Sequence, residues 1–337
     1  MLESGRMRRL VLLASLLAAC GGRFQSPEQR LGRGPSGPGA AAEAPYSFAD
    51  PGEEAPITDL ALDAVSQHLV AVSRKGRRIG GAPVATGVWS WKYTLSFEPS
   101  VVAVHPATGE GALVWQKPGG AELVRFRPST GETLETLELG KLEADQVRAA
   151  VFDTRRNHLL LAAEDRLLVV DWKANRVLSN RSPGARELAV DSSRGLAVVV
   201  RPRGEITMLE LASGAEAVLG EAASAGGVAI DSEQGRAWVV TGREWVEIDL
   251  EARQVARRVA FDPERDFGGA GAAVATACGR LYLACGELVE VNLEDGRWSP
   301  IATLGGCPAP LAHLANLGAL FTIQGGQIHS AYHHCEP

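Results

Sequence analysis

The sequence predicts an all-β chain built as a ring of repeated four-stranded sheets, and three observations carry that prediction. The first is recurrence. A motif of small apolar residues, then an Asp or His, then a short polar gap and a second apolar run returns at Asp63, His105, Asp153, Asp191 and Asp231, at intervals of 42, 48, 38 and 40 residues. Two more units lack the acid but keep a Gly and the apolar run, since "GRAWVV" at Gly235 matches "GRLYLA" at Gly279 and "GALFTI" at Gly318. The second is local pattern, short apolar stretches rich in Val and Leu that alternate or run for a few positions, as strands do. The third is punctuation by turn tripeptides such as "STG", "ASG" and "EDG". Four strands per unit of about 40 residues is the blade of a β-propeller, and the units number seven.

Before the repeats, "MRRLVLLASLLAACGG" from Met7 joins a basic start (Arg8, Arg9) to an apolar run, Leu10 to Ala19, too short to anchor in a bilayer. This reads as a secretion signal over residues 1–19. Its end, Leu17-Ala18-Ala19-Cys20, resembles the lipobox of bacterial lipoproteins, which implies cleavage before Cys20 and lipid on its thiol. Gly21 in place of an Asp implies, by the same resemblance, the outer membrane. Residues 20–44, rich in Gly, Pro and Ala, read as a disordered tether. A single propeller domain is expected over 45–337.

The third unit shows how a blade is read. "AAVFD" is the innermost strand, "TRRN" a turn, "HLLLAA" the second strand, "LLVVDW" the third and "RVLSN" the outermost. The phrasing "DRLLVVDWKANRVLSN" resembles the YVTN and NHL-like bacterial propeller repeats, over roughly Ile57 to His334. That resemblance implies fold and hardly any function. The recurring Asp reads as a turn device, because its side chain accepts hydrogen bonds from amides two residues on. The last unit has room for only three strands before Pro337. "PYSFAD", Pro45 to Asp50, is therefore expected to supply the fourth and close the ring against unpaired edges.

The first unit carries the one irregular stretch. Trp89, Trp91, Tyr93, Leu95 and Phe97 alternate, which places them on one face of a strand, either packed on a neighbouring blade or offered as a platform. Ahead of them lies a basic loop with Arg74, Lys75, Arg77 and Arg78. Equivalent loops hold Lys117, Arg166, Arg201, Arg203 and Arg243, a basic arc on a chain of net charge -6. Asp165, Glu244, Glu264 and Asp266 share that face and dilute it.

For catalysis, Asp59 and Glu187 occupy matching positions at the inner strands of the first and fourth units, and His313 begins the seventh. They suit a general acid and base or a cation site, or simply a solvated channel mouth. No G-x-S-x-G, H-E-x-x-H, P-loop or C-x-x-C occurs. His329, His333, His334 and Cys335 resemble metal ligands, but alternation puts His333 and His334 on opposite faces. No metal or cofactor is expected.

Of the remaining cysteines, topology puts Cys285 and Cys307 on one face and Cys278 and Cys335 on the other, and export favours disulfides. The expected bridges are Cys285 with Cys307 and Cys278 with Cys335. The sequence thus suggests a lipid-anchored, non-enzymatic scaffold with a monomeric head. Its loops would bind an envelope protein or an anionic glycan and not nucleic acid. The rival is a propeller enzyme of lyase or lactonase type.

Overall fold

The computed structural model describes residues 42–47, 57–142, 147–222, 225–261, 273–277, 279–304, 311–314, 319–324 and 327–332. Among these residues the strands form seven four-stranded sheets. Six are each made of four consecutive strands, beginning at the inner strands Asp59–Asp63, Pro99–Val104, Val147–Asp153, Glu187–Asp191, Ala225–Asp231 and Ala273–Ala277. The seventh is composite: Leu311–Leu314, Ala319–Gln324 and Gln327–Tyr332 take a fourth strand, Ala42–Ser47, from the other end of the chain. The fold is an all-β propeller.

In the third sheet the strands are Val147–Asp153, His158–Ala163, Leu167–Asp171 and Arg176–Arg181, close to the sequence reading. Its second strand shows why the apolar run is continuous. Leu159 and Leu161 point into a cluster shared with the second sheet, while Leu160 and Ala162 point into one shared with the fourth. A strand buried on both faces cannot alternate apolar with polar. The outer strand is half-solvated, so Gln254–Ala260 of the fifth sheet alternates exposed and half-buried positions. Each fully buried Leu contributes about 1.5–3 kcal/mol.

The same construction repeats around the chain. Phe321 and Ile328 of the composite sheet share a cluster with Leu60 and Leu69 of the first, and Leu320 shares one with Tyr282 and Leu288 of the sixth. The composite sheet thus packs on both neighbours. Its borrowed strand runs antiparallel to Gln327–Tyr332, pairing Tyr46 with Ile328 and Ser47 with Gln327, with an irregularity between Ala42 and Tyr46. It covers Ala42–Ser47, not Pro45 to Asp50, so three residues of the expected tether belong to a strand. Pro45 is tolerable there because this is an edge strand.

The recurring acid holds the first turn in the four units that carry it. Asp63 Oδ1 accepts from the amides of Val65 and Ser66 (2.9 and 3.2 Å), and Asp231 Oδ1 from Glu233 and Gln234 (both 2.9 Å). His105 replaces the acid, its Nδ1 accepting from Ala107 and Thr108 (3.2 Å each), and burial lowers its pKa, which keeps the ring a neutral acceptor. The turns end in a left-handed residue, Gly195 at φ 69° and Gly235 at φ 66°. Glycine adopts that backbone freely, which explains the repeated Gly. Gly318, in the seventh unit, lies outside the described residues.

Candidate functional site

Two faces bound the ring. The inner turns hold one face, and the loops joining second to third strands hold the other, together with the starts of the inner strands.

On the loop face the basic arc separates into paired and unpaired cations. Arg74 and Arg77 approach the two carboxylate oxygens of Glu98 (3.8 and 3.9 Å), and Arg78 is half-buried at the start of its strand. Lys117 bridges Glu122 and Glu138 (3.1 and 2.7 Å), Arg166 pairs with Asp165 (2.6 Å), and Glu244 is taken by Arg258 (2.7 Å). Arg201 is not a surface ligand-binding residue. It is 3% exposed and its guanidinium donates to the carbonyls of Pro183 and Gly184 and to Glu216 (2.7, 3.0 and 2.5 Å). That side chain ties the loop to the entry of its own sheet. Lys75, Arg203 and Arg243 are exposed and form no ion pair among the described residues. They come from the first, fourth and fifth sheets. Glu264 and Asp266 lie outside the described residues.

The aromatic stretch does not present a single face. Its strand is only Trp91–Thr94. Trp89 precedes it and packs on the cluster shared with the composite sheet, whereas Trp91 and Leu95 pack on the cluster shared with the second sheet. Trp91 Nε1 donates to the carbonyl of Pro128 (2.7 Å) and the Tyr93 hydroxyl to that of Thr130 (3.3 Å). Phe97 meets Trp115 edge-on at 5.7 Å. Gly81 pairs opposite Trp91, and a Cβ there would lie 2.4 Å from the indole, so "GG" makes room for the ring. Trp91, Tyr93 and Phe97 bind the first blade to the second while Trp89 packs toward the composite sheet, so Trp89 and Trp91 do not share one face.

At the starts of the inner strands, Asp59 and Glu187 interact electrostatically. Asp59 stitches two sheets, Oδ1 accepting from its neighbour Leu60 (2.9 Å) and Oδ2 from Val102 of the second sheet (2.8 Å). Burial pushes its pKa up to about 6, against the pull of those two amides. Burial likewise pushes Glu187 up to about 8. Arg186 and Arg148 pull it down and the charge of Asp59 pushes it up. The two carboxyls thus differ in proton affinity, Glu187 holding its proton to higher pH than Asp59. The side chain of His313 lies outside the described residues.

Among the described residues no three His, Cys, Asp or Glu side chains stand together as metal ligands, and no helix is long and apolar enough to cross a membrane. The side chains of His329, His333, His334 and Cys335 lie outside the described residues. Cys285 is disulfide-bonded. Cys278, Cys307 and Cys20 also fall outside the described residues. Sequence reading missed Glu98 and Glu216, which pair with Arg74, Arg77 and Arg201. Each lies on a different element from its partner, so only strand pairing brings them together.

No protein-family model matches the chain, and no curated protein does. Among solved structures, one described as "Kuenenia stuttgartiensis Hydrazine Synthase" aligns with a TM-score of 0.68 at 11% identity, covering 86% of this chain and 99% of that one. At that identity the likeness shows the fold alone. In all, 1581 solved chains match, and a fold shared so widely leaves function to be argued from the site.

Proposed function

We propose that this chain is a binding module of the cell envelope: an outer-membrane lipoprotein, lipidated on Cys20, whose loop face captures a negatively charged partner. Its head is a seven-bladed propeller closed by the N-terminal strand, and Cys285 bridges to Cys307 beside that closure. The observation that carries the reading is the trio Lys75, Arg203 and Arg243, three exposed cations unpaired among the described residues, on one face of an acidic chain. Exposed cations steer an acidic surface at low ionic strength. An acidic envelope protein is the expected partner. Photo-crosslinking from loop-face positions in native membranes should trap one discrete protein, and capture of polysaccharide alone would replace that protein with an anionic glycan. Absence of both would overturn the reading. The anchor has its own test: labelled palmitate should enter wild type and not Cys20→Ser.

A second reading, an enzyme of lyase or lactonase type, is favoured by the two carboxyls whose pKa burial raises, Asp59 and Glu187, both at the starts of inner strands. Glu187 would serve as acid and Asp59 as base. Turnover of a lactone or uronate-polymer panel by wild type that disappears in both Glu187→Gln and Asp59→Asn would establish it over the binding module.

A further inference from the structure

Asp59 and Glu187 hold the same place in their units and use it differently. Each opens an inner strand four residues before the turn Asp, and each pairs with a Val of the strand that follows, Asp59 with Val72 and Glu187 with Val200. Asp59 spends both oxygens on backbone amides, those of Leu60 and Val102. Glu187 is one methylene longer and accepts no hydrogen bond among the described residues. It is a half-buried carboxyl that the fold leaves unbonded.

Two cations stand around it. Arg186 is its neighbour in sequence and is half-buried. Arg148 comes from the third sheet, whose inner strand packs on that of the fourth through Ala149, Val151, Leu188 and Val190. It is the residue left over where the register slips between Val147 and Ala149, which pair with Ala163 and Ala162. Such a bulge turns a side chain out of the ladder, and Arg148 is exposed. Where the second and fifth sheets bulge at the same place they carry Ser100 and Gly226, so the cations gather at the third and fourth. Both guanidiniums act on Glu187, pulling its pKa down against burial. Neither closes an ion pair with it or with any other acid among the described residues.

Charge decides what fits between them. Glu187, pushed up to about 8, is mostly a neutral acid at neutrality, and Asp59, at about 6, is mostly ionised but already held by amides. The cluster therefore offers two unpaired guanidiniums and one O–H donor. A metal ion or an ammonium group would meet two positive charges and no free carboxylate. A carboxylate would meet donors, and guanidinium is the group that matches it with two parallel hydrogen bonds. We propose that Arg148, Arg186 and Glu187 bind a carboxylate group at the loop-face mouth of the channel. Glu187, as the acid, adds the third donor. Lys75, Arg203 and Arg243 take no part, so this site and the reading given for the loop face fail separately.

The test uses full-length protein labelled with 13C at its arginine Cζ atoms. The resonances of Arg148 and Arg186 are identified by their absence from Arg148→Lys and Arg186→Lys. Acetate, succinate, a capped peptide of alternating Glu and Gly, and phosphate are titrated at constant ionic strength. The expected result is a saturable shift of both resonances with a carboxylate, at a dissociation constant on the order of 1 mM. Tighter binding of succinate than of the peptide supports the site with a small dissolved acid as its ligand, and the reverse supports it with an acidic side chain of a partner. Glu187 supplies a second readout. From pH 7 to pH 9, with Asp59 ionised throughout, wild-type affinity should fall about tenfold as Glu187 loses its proton, whereas that of Glu187→Gln should hold steady. Resonances unmoved by every probe would overturn the proposal. So would binding confined to phosphate, or a pH dependence that persists in Glu187→Gln.

Discussion

The two faces of the ring use the same residue types for opposite ends. On the inner-turn face, charge is spent on construction. Asp153 accepts from the amide of Arg155 and from Arg156 (3.2 and 3.0 Å), while Arg155 reaches across to the carbonyl of Ser193 in the next sheet (2.9 Å). Asp191 and Arg194 repeat the arrangement, with Arg194 bonded to Asp191 and to the carbonyl of Ser232 (2.8 and 2.6 Å). On the loop face, Lys75, Arg203 and Arg243 point into solvent with no such partner among the described residues. A charge whose partner is buried builds the ring, and a charge without one remains available to something else.

Substitutions that break this contrast should differ in size. Cys285 is the covalent tie at the end of a second strand on the loop face, and the proposed bridge to Cys307 closes a loop of about 20 residues. Cys285→Ser should cost about 3 kcal/mol in urea denaturation under oxidising conditions and nothing under reducing ones. Equal stability of the two proteins when oxidised would remove the bridge from the account. Asp191 is fully buried and accepts from the amide and hydroxyl of Ser193 as well as the amide and guanidinium of Arg194. Asp191→Ala should cost about 2–3 kcal/mol by the same measurement, because those donors lose a charged acceptor. A cost below that of an exposed Arg203→Ala would erase the difference between the faces.

Glu187 sharpens the contrast from the loop side, as a carboxyl held at a cost. Its folded pKa, about 8, lies above the ordinary carboxylate value, so the native state holds the proton more tightly than the unfolded chain. Its contribution to stability is complete below about pH 4 and is lost as pH rises through the folded value. Glu187→Gln should therefore stabilise the fold at pH 8 by about 1–2 kcal/mol, discounted for its partial exposure, and leave it unchanged at pH 4. Thermal melts at the two pH values check this. A variant less stable at pH 8 would show that the carboxylate is held by a favourable contact.

Sequence alone showed most of this architecture, for a local reason. The repeated Asp, the Gly that closes its turn and the apolar run that follows are contiguous, so the first turn and second strand of each unit can be read directly. The aromatic stretch resisted because alternation in sequence holds only inside a strand. That strand begins at Trp91, and Trp89, two residues earlier, belongs to another interface. Which arc cations are paired was not legible because ion pairing is non-local. Arg201 looks like any loop cation until Glu216, fifteen residues on in the adjoining outer strand, is seen to hold it.

The smallest effect on stability is expected where the effect on binding is largest. The combined variant Lys75→Glu, Arg203→Glu and Arg243→Glu should melt within about 0.5 kcal/mol of wild type, because exposed charges contribute little to folding. In a pull-down from detergent-solubilised envelope at low salt, where screening is weakest, wild type should retain an acidic partner and the variant should lose it. A folded variant that retains the partner would contradict the assignment of the loop face to binding.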